Sequence, residues 1–387
     1  MKILYHHRIA SKDGQYVHVE ELTKALKKLG HEIIMVSPQI SETKEFGSEG
    51  GLVKTLKQYM PKAIYELMEF GYSFYAYFKL SKAIKEHKPD VIYERYNLFL
   101  PTGIWIKKKY KLPFLLEVNA PLYDERKKYD GIALNTLARW TERYAWKNAD
   151  YVLPVTQVLA NRVIEEGTPE HRISVIPNGI DEDKFGSIPD IEVAKKSLGL
   201  EGKLVLGFTG FVRDWHGLDR VVEIVANHPE QNRHLLLVGD GPARESIELK
   251  AKELKVEDKL TITGIIGRDE VAKYVAAFDI ALQPDVVDYA SPLKLFEYLA
   301  LGRAVIAPDK DNIKEILTHS ENAVLFDSTQ NETFFSLTEN LCQDSELRDK
   351  LSNAARKTID EQSLTWVNNA RKVEGLFNTL LGENTSA

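Results

Sequence analysis

Short apolar runs alternate with segments of helical periodicity along most of the chain. Residues 2–5 and 32–36 have the pattern of short buried strands. Residues 17–29 between them carry apolar side chains at helical spacing and end at Gly30. A strand, a helix and a second strand in this order predict a βαβ unit, from which parallel sheets are built.

The same alternation continues in two series. The first series predicts strands at residues 91–93, 114–118, 151–154 and 173–176, with a helix over about 132–148, and ends at the turn Pro177-Asn178-Gly179. A polar segment, residues 181–200, is the predicted linker. The second series predicts strands at 204–209, 235–238, 260–263, 280–283, 304–307 and 324–326. Two such series indicate an α/β protein with two doubly wound, Rossmann-like domains facing a central cleft, where ligands bind at the carboxyl ends of strands.

Composition limits the class of protein. The chain has 387 residues, 43% of them hydrophobic, and a net charge of −6, which argues against general nucleic-acid binding. Its single cysteine, Cys342, provides neither a disulfide framework nor a cysteine zinc site. With no signal-peptide core and no run of 18 apolar residues, the sequence predicts a cytoplasmic protein that does not span a membrane.

The segment from Ser291 to Gly302 is the most informative candidate site. Ser291 and Pro292 are suited to the N-cap and first position of a helix, whose amino end favours anions. Lys294 and Glu297 are three residues apart and therefore share one face near that end. Lys294 suits a diphosphate and Glu297 suits a ribose diol. The alternative is a solvated ion pair, but the apolar residues around them predict a buried helix, in which charges need a partner or a ligand.

Two glycine-containing turns follow predicted strands. In the segment 209–217, Gly210 and Gly217 flank Arg213, whose guanidinium can hold a phosphate, although a surface arginine is the alternative; His216 can pack or cap there. The segment 236–242 contains a Gly-x-Gly, but Arg244 occupies the place of the third glycine of a dinucleotide loop. We therefore interpret it as a structural turn, with Pro242 opening a helix.

The order of these motifs resembles the retaining glycosyltransferases of family 4, which have the GT-B fold. The resemblance extends over most of the chain. It includes Gly14 and the following helix, the segment 117–122 with Asn119, the approach to the linker at 177–185, and a terminal helix from Trp366 to about residue 381. It implies an acceptor domain over residues 1–185, completed by a helix over about 365–387 that crosses back, and a nucleotide-sugar donor domain over 186–364.

The resemblance also implies roles for individual residues. Arg213 and Lys294 would bind the donor diphosphate and Glu297 the ribose, with Gly14 across the cleft. The remaining predicted donor-site positions are Asn119, Gly210, His216, Gly217, Gly264, Ile265, Ser291 and Leu293. Two departures from the family pattern concern the donor: Tyr289 stands where the first of two glutamates is usual, and His216 stands where lysine is common.

The implied reaction moves a sugar from a nucleoside-diphosphate sugar to an acceptor with retention of configuration. The sequence shows no nucleophilic triad and no metal-ligand set, so we expect no metal and no tightly bound cofactor; the departing phosphate would help to deprotonate the acceptor. A UDP- or GDP-sugar is the expected donor.

Residues 52–80 are rich in aromatic residues and lysine, which is typical of a surface that contacts an anionic bilayer. Peripheral membrane contact would favour a lipid-linked or cell-envelope glycan as acceptor. The alternative is a helical hairpin whose aromatic side chains lie in the core.

Three other functions share this architecture. A nucleotide-sugar epimerase would need carboxylates and histidines around the sugar, and no convincing set is present. An NAD-dependent oxidoreductase is disfavoured by the missing third glycine. A non-catalytic sugar-nucleotide-binding protein is disfavoured by the set Arg213, Lys294 and Glu297, although Tyr289 keeps it open.

Overall fold

The structure is a computed structural model that describes residues 1–9, 14–38, 60–186, 190–228 and 230–385. It divides into two compact units. The first contains Met1–Pro177, Tyr289–Ser291 and Trp366–Ala387; the second contains Asn178–Asp288 and Pro292–Thr365. The sequence-based boundary at residue 185 falls eight residues later than this division. Ile180 forms a bridge with Thr365, so the segment after Pro177 belongs with the second unit.

The first unit is built on a parallel five-stranded sheet in the order β2-β1-β3-β4-β5. Its strands are β1 (Lys2–His6), β2 (Glu32–Val36), β3 (Val91–Arg95), β4 (Phe114–Val118) and β5 (Tyr151–Pro154). Its helices are α1 (Gly14–Lys28), α2 (Lys62–His87), α3 (Thr102–Tyr110), α4 (Leu122–Tyr129), α5 (Asn135–Asn148), α6 (Gln157–Glu165) and, from the end of the chain, α16 (Trp366–Thr385). Helix α16 packs on α1, as the resemblance implied.

The second unit is built on a parallel six-stranded sheet in the order β11-β10-β9-β6-β7-β8. Its strands are β6 (Leu204–Thr209), β7 (Arg233–Val238), β8 (Leu260–Ile262), β9 (Ile280–Leu282), β10 (Ala304–Pro308) and β11 (Val324–Phe326). Its helices are α7 (Glu182–Phe185), α8 (Ile191–Ser197), α9 (Asp219–Ala226), α10 (Arg244–Glu253), α11 (Val271–Val275), α12 (Leu293–Ala300), α13 (Asp311–Lys314), α14 (Asn331–Gln343) and α15 (Ser345–Glu361).

In each sheet the strand order reverses at one place. The chain leaves the centre of the first sheet at β1 and returns beside it at β3; in the second sheet the same happens at β6 and β9. Ligands of doubly wound sheets bind outside the carboxyl ends of the strands at such switch points. Ligands are therefore expected beside the residues that follow β1 and β3 and those that follow β6 and β9.

The predicted fold of two doubly wound α/β units is confirmed. Two local predictions were wrong. Residues 173–176 form no regular strand: the segment lies beside β5 and donates the N–H groups of Ser174 and Ile176 to the carbonyls of Val152 and Pro154, but its one bridge is that between Ile173 and Val152. The segment 181–200 is not a plain linker, because it contains α7 and α8, each capped by an aspartate: Asp181 and Asp190.

Candidate functional site

The carboxyl end of β6 is fixed to the neighbouring strand by one phenol. The Tyr298 hydroxyl accepts the N–H of Thr209 at 2.9 Å and donates to the carbonyl of Leu282 at 3.3 Å. Tyr298 is fully buried on α12. It therefore holds the ends of β6 and β9 and the helix after β9 in one arrangement, which is the scaffold for the residues around this switch point.

Lys294 lies directly above this scaffold. It is partly exposed, and its Nζ lies 3.7 Å from the centroid of the Phe208 ring. A Cβ at Gly210, where φ is +126°, would lie 3.3 Å from the same nitrogen, so the strand end leaves this space open. Burial lowers the pKa of Lys294 to about 7, and the nearby charge of Glu297 only partly opposes the shift. An anion that binds beside Lys294 would therefore stabilise its charged form.

The loop after β6 carries Arg213 and His216. Arg213 is exposed, with its guanidinium 5.1 Å from the Phe211 ring. The buried His216 imidazole accepts the N–H of Arg213 through Nδ1 at 3.1 Å. Burial, and then the positive charges of Lys294 and Arg213, lower the pKa of His216 to about 3. The ring is therefore neutral at physiological pH with its proton on Nε2.

His216 also packs between aromatic rings, with centroids 4.8 Å from Phe208 and 4.0 Å from Trp215. Gly217, which follows, has φ of +60° and caps this short turn. The structure places Gly210, Arg213, His216, Gly217 and Lys294 at the switch point between β6 and β9.

Glu297 lies on α12 one turn beyond Lys294 and is partly buried. The predicted helix start was wrong by one position: Pro292 is the N-cap, and Leu293, not Pro292, is the first helical residue. Pro292 has no side-chain donor or acceptor, and no side chain caps this end. Ser291, the expected N-cap, precedes the helix.

The two glycines of the Gly-x-Gly after β7 allow two loops to pack closely. A Cβ at Gly239 would lie 2.1 Å from the carbonyl oxygen of Gly210, and one at Gly241 would lie 2.1 Å from that of Val212. The two backbones also exchange hydrogen bonds, including Val212 N–H to the Asp240 carbonyl at 2.9 Å. These glycines serve close contact between two loops, in agreement with the structural interpretation. The expected helix start at Pro242 was wrong, because α10 begins at Arg244.

Gly264 and Ile265 follow β8 at the same edge of the sheet. Gly264 has φ of +71°, and its carbonyl accepts the Thr263 hydroxyl at 2.8 Å. That hydroxyl oxygen in turn accepts the N–H of Gly239 at 3.1 Å. Ile265 is 62% exposed, which makes it a free apolar surface beside the β7 and β8 loops.

A buried cluster of charged residues lies at the switch point of the first unit. The sequence analysis did not predict it. Glu117, at the end of β4, is 2% exposed and is surrounded by donors. These are the hydroxyls of Tyr5 (3.3 Å) and Tyr93 (2.9 Å), Arg95 (2.5 Å), Asn119 (2.5 Å) and His18 (3.1 Å). Burial alone would raise the pKa of Glu117, but the charges of His18 and Arg95 and the hydrogen bonds hold it well below its usual range.

The cluster around Glu117 includes the predicted residue Asn119 and lies next to the C-terminal helix α16. The Asn119 amide is oriented by Glu117, and the His18 ring lies edge-on at 4.9 Å from Trp366, the first residue of α16. Gly14, the other predicted residue of this unit, opens α1. The available signal was a polar residue inside apolar strands: Glu117 in β4 and Arg95 at the end of β3.

Tyr289, at the place of the expected glutamate, belongs to the first unit. Its carbonyl accepts the hydroxyl of Thr156, the N-cap of α6, at 2.9 Å, and Arg162 lies 5.3 Å from its ring. Tyr289 is 8% exposed. This tyrosine has a packing role in the first unit, whatever it contributes to sugar recognition.

The described part of the chain shows neither a metal centre nor a membrane-spanning helix. It contains no cluster of three or more histidine, cysteine, aspartate or glutamate side chains arranged to hold a metal ion. In the same residues, no helix combines the length and apolar character that crossing a bilayer requires.

Comparison with known proteins agrees with the two-unit architecture. The model of Glycosyltransferase Family 4 matches residues 12–184, and that of Glycosyl transferases group 1 matches residues 190–358. A 2-deoxystreptamine glucosyltransferase of Streptomyces kanamyceticus is 32% identical over 38% of this chain and 39% of its own length. An uncharacterized glycosyltransferase of Methanocaldococcus jannaschii is 21% identical over 95% of both chains. The crystal structure of Anabaena HepE in complex with UDP superposes with a TM-score of 0.74, at 17% identity, over 98% of this chain and 100% of that one.

The fold and these matches define the class: the chain is a glycosyltransferase with the GT-B fold. Within that class it is similar to family 4. The predicted class and fold are thereby confirmed. The nucleotide-sugar donor, the retaining stereochemistry, the residue roles, the domain roles and the cytoplasmic location stay predictions.

Proposed function

We propose that this glycosyltransferase transfers a sugar with retention of configuration and binds the diphosphate of its donor between Gly210, Arg213 and Lys294. One observation carries the proposal: two cations without a carboxylate partner meet at a switch point. Within the described residues, neither Lys294 nor Arg213 has a carboxylate within ion-pair distance. A partly buried cation such as Lys294 is compensated by a ligand anion, and the exposed guanidinium of Arg213 can donate to the same anion.

The lowered pKa of Lys294 supports this role. Its ammonium lies against Phe208 instead of in water, so the free protein bears an electrostatic cost that a diphosphate removes. Neutral His216, with a proton on Nε2, adds a hydrogen-bond donor without a second desolvated charge. This arrangement suits the charge that develops on a departing nucleoside diphosphate, and preorganised groups of this type supply the largest part of many rate enhancements.

Glu297 completes the proposed donor site. It lies on the same helix as Lys294, one turn further on, at a distance suited to the ribose that follows a diphosphate. Gly217, Gly264, Ile265, Ser291 and Leu293 are the proposed lining positions. In a front-face reaction the leaving phosphate accepts the proton of the acceptor hydroxyl, so no separate general base is required, and Gly14 and Asn119 would lie on the acceptor side.

The donor site is tested by calorimetric titration with UDP, GDP and ADP, followed by turnover of the matching sugar nucleotide. Lys294→Ala and Arg213→Ala should each lower turnover by about 10²–10³-fold, by analogy with removal of one oxyanion donor. Glu297→Ala should weaken nucleoside diphosphate binding. Lys252→Ala, an exposed lysine on α10, is the matched control.

Near-wild-type turnover of Lys294→Ala would remove this residue from the mechanism. Binding without turnover in the wild type would favour a non-catalytic protein, and turnover without an acceptor would favour an epimerase. NMR of the product anomer decides between retention and inversion.

We further propose that the first unit contacts an anionic bilayer through α2 and takes a lipid-linked or cell-envelope glycan as acceptor. Helix α2 buries polar residues, including Glu66 and Ser73, and exposes an apolar stripe. The members of this stripe are 49–72% exposed and recur at helical spacing: Ile64, Leu67, Met68, Phe74, Tyr75 and Phe78. Of the predicted surface, residues 52–59 lie outside the described part of the chain.

Lysines complement this stripe. Lys79, Lys82 and Lys85 lie on α2, and Lys109 lies 5.0 Å from the Tyr77 ring. An apolar stripe bordered by lysine fits the interface of an anionic membrane. The core-packed alternative holds only for the opposite face of the helix.

Flotation with vesicles tests this contact. The wild type should float with phosphatidylglycerol vesicles and less with phosphatidylcholine vesicles, and Phe78→Ser should reduce flotation several-fold because it removes the most exposed ring of the stripe. Leu249→Ser, an exposed leucine of the second unit, is the matched control. Equal flotation of Phe78→Ser and wild type would contradict the proposal.

A further inference from the structure

A second binding surface lies along the outer side of α5. It is a groove of about 580 Å³, here called the α5 groove, which extends from Asn135 at the first residue of the helix to Asn148 at the last. A helix of this length is about 20 Å long. The groove is lined by Tyr123, Asn135, Thr136, Arg139, Trp140, Arg143, Tyr144, Lys147 and Asn148. None of these residues belongs to the proposed donor site.

A stacked pair of aromatic rings forms the middle of the α5 groove. The rings of Trp140 and Tyr144 are 5.2 Å apart and 25° from parallel, and Trp140 is 44% exposed. Lys108 holds the pair from one side, with its Nζ 4.8 Å from the Tyr144 ring and 3.1 Å from the hydroxyl. A flat, rigid aromatic surface that remains exposed is suited to stack on the apolar face of a sugar ring.

Positive charge exceeds negative charge along the α5 groove. Arg139 and Arg143 both pair with one carboxylate, Glu166, which leaves further guanidinium donors free to bind. Lys108 and Lys147 add two positive charges without an ion pair among the described residues. Arg139, Arg143 and Lys147 line the groove and Lys108 borders it, against the carboxylates of Glu166 and the buried Glu142. This excess of positive charge favours an anionic ligand, and paired guanidinium groups are suited to carboxylate or phosphate.

The α5 groove extends towards the switch point of the first unit. Tyr123 lies on α4, directly after β4, and its backbone N–H donates to Glu142 of α5 at 3.1 Å. One end of the groove therefore adjoins the segment after Asn119, and the other end lies at the opposite edge of the sheet. A ligand along it would be an extended chain of sugars.

We propose that the α5 groove binds an extended anionic saccharide, with a sugar ring on Trp140 and its carboxylate or phosphate groups on Arg139, Arg143 and Lys147. The ligand chemistry follows from an aromatic platform bordered by cations, and the polar ends of the groove favour saccharide over acyl chains. As an acceptor chain held away from the reacting end, this saccharide extends the proposed function and rests on it. Saccharide binding itself is measured without the transferase reaction.

The test measures binding of an oligogalacturonate, with a maltooligosaccharide of equal length as the neutral probe. We expect binding of the anionic chain at low salt and at least tenfold weaker binding of the neutral chain. Trp140→Ala and the pair Arg143→Gln with Lys147→Gln should each weaken binding by on the order of tenfold, which corresponds to about 1.4 kcal/mol. Tyr129→Ala, an exposed tyrosine outside the groove, is the matched control.

Circular dichroism and UDP affinity establish that each variant is folded and retains its donor site. If UDP binds and oligogalacturonate does not, the α5 groove proposal is wrong while the donor site stands. If UDP does not bind but oligogalacturonate binds in a manner that depends on Trp140, the donor-site proposal is wrong and the α5 groove proposal stands. Binding of phosphatidylglycerol vesicles that requires Trp140, without oligogalacturonate binding, would assign the groove to lipid and overturn the saccharide proposal.

Discussion

At the scale of single residues, this protein places charges where burial makes them costly. Lys294 lies over an aromatic ring at the end of a strand, and Glu117 lies inside a sheet among five donors. The two differ in compensation. Glu117 is fully paired by its own unit, whereas Lys294 is not, which is the difference expected between a charge that holds a structure and one that awaits a ligand.

The pKa of Lys294 makes donor affinity dependent on pH. In the free protein this lysine loses its charge as the pH rises through about 7. The dissociation constant for a nucleoside diphosphate should therefore rise between pH 7.5 and 9, by at most tenfold for each pH unit. Lys294→Arg, which stays charged, should show a flat profile in calorimetric titrations. A wild-type profile as flat as that of the variant would contradict the assignment.

The same lysine has a stability consequence of defined sign. Its pKa is lowered from 10.5 in the unfolded chain to about 7 in the folded chain, so the unfolded state binds more protons between these values. Its contribution to the free energy of unfolding therefore rises with pH across this range. The buried positive charge that favours anion binding therefore lowers the stability of the fold, a trade-off that is common at functional sites.

At the scale of elements, apolar periodicity predicted the strands and the order of the βα units. It predicted residues 173–176 as a strand as well; this segment lies along β5 with one bridge and two hydrogen bonds, and a short apolar run does not show how regular such pairing will be. Apolar periodicity also does not show which face of α2 packs inward. The inward face of α2 is mixed: Glu66 and Ser73 find partners inside beside the buried Ala76, Leu80 and Ile84, while a second set of apolar side chains is exposed.

Glu66 anchors α2 to the start of α5. Its carboxylate accepts the N–H groups of Ala133 (3.0 Å) and Leu134 (2.6 Å), and Leu134 is the N-cap of α5 without a side-chain cap of its own. Glu66→Ala should lower the free energy of unfolding by about 2–4 kcal/mol, because it removes two charge-assisted hydrogen bonds that a fully buried carboxylate accepts at a helix start. Urea denaturation measures this loss. Glu69→Ala, which breaks only the partly exposed pair with Arg126, should cost less than about 1 kcal/mol.

At the scale of the whole molecule, each unit has its own sheet and its own core. The second unit is filled by one cluster that includes Phe208, Leu237, Ile280 and Phe334. The grouping of Lys294, Gly210 and Arg213 could be predicted, because each follows a strand of the same sheet. The cluster around Glu117 could not, because it joins β1, β3, β4 and α1, and sequence alone does not give the spatial order of strands.

Calorimetry of the full chain should resolve two unfolding transitions. A saturating nucleoside diphosphate should raise the transition temperature of the second unit and leave that of the first in place, since Arg213, Lys294 and Glu297 all lie in the second unit. At 100 times the dissociation constant the added stability is about 2.7 kcal/mol. NAD serves as the control ligand. A shift of both transitions together would show that the units do not unfold separately.

The packing of α16 on α1 has a consequence for synthesis in the cell. The first unit is closed by the last residues of the chain, Trp366 onward, which meet His18 near its start. A ribosome that adds about 5–20 residues per second reaches Trp366 roughly 20–70 s after it has completed α1. During that interval the surface of α1 that α16 covers has no covering partner from its own chain. The emerging polypeptide therefore presents a site for chaperones, and a message truncated before Trp366 yields a protein with that site permanently open.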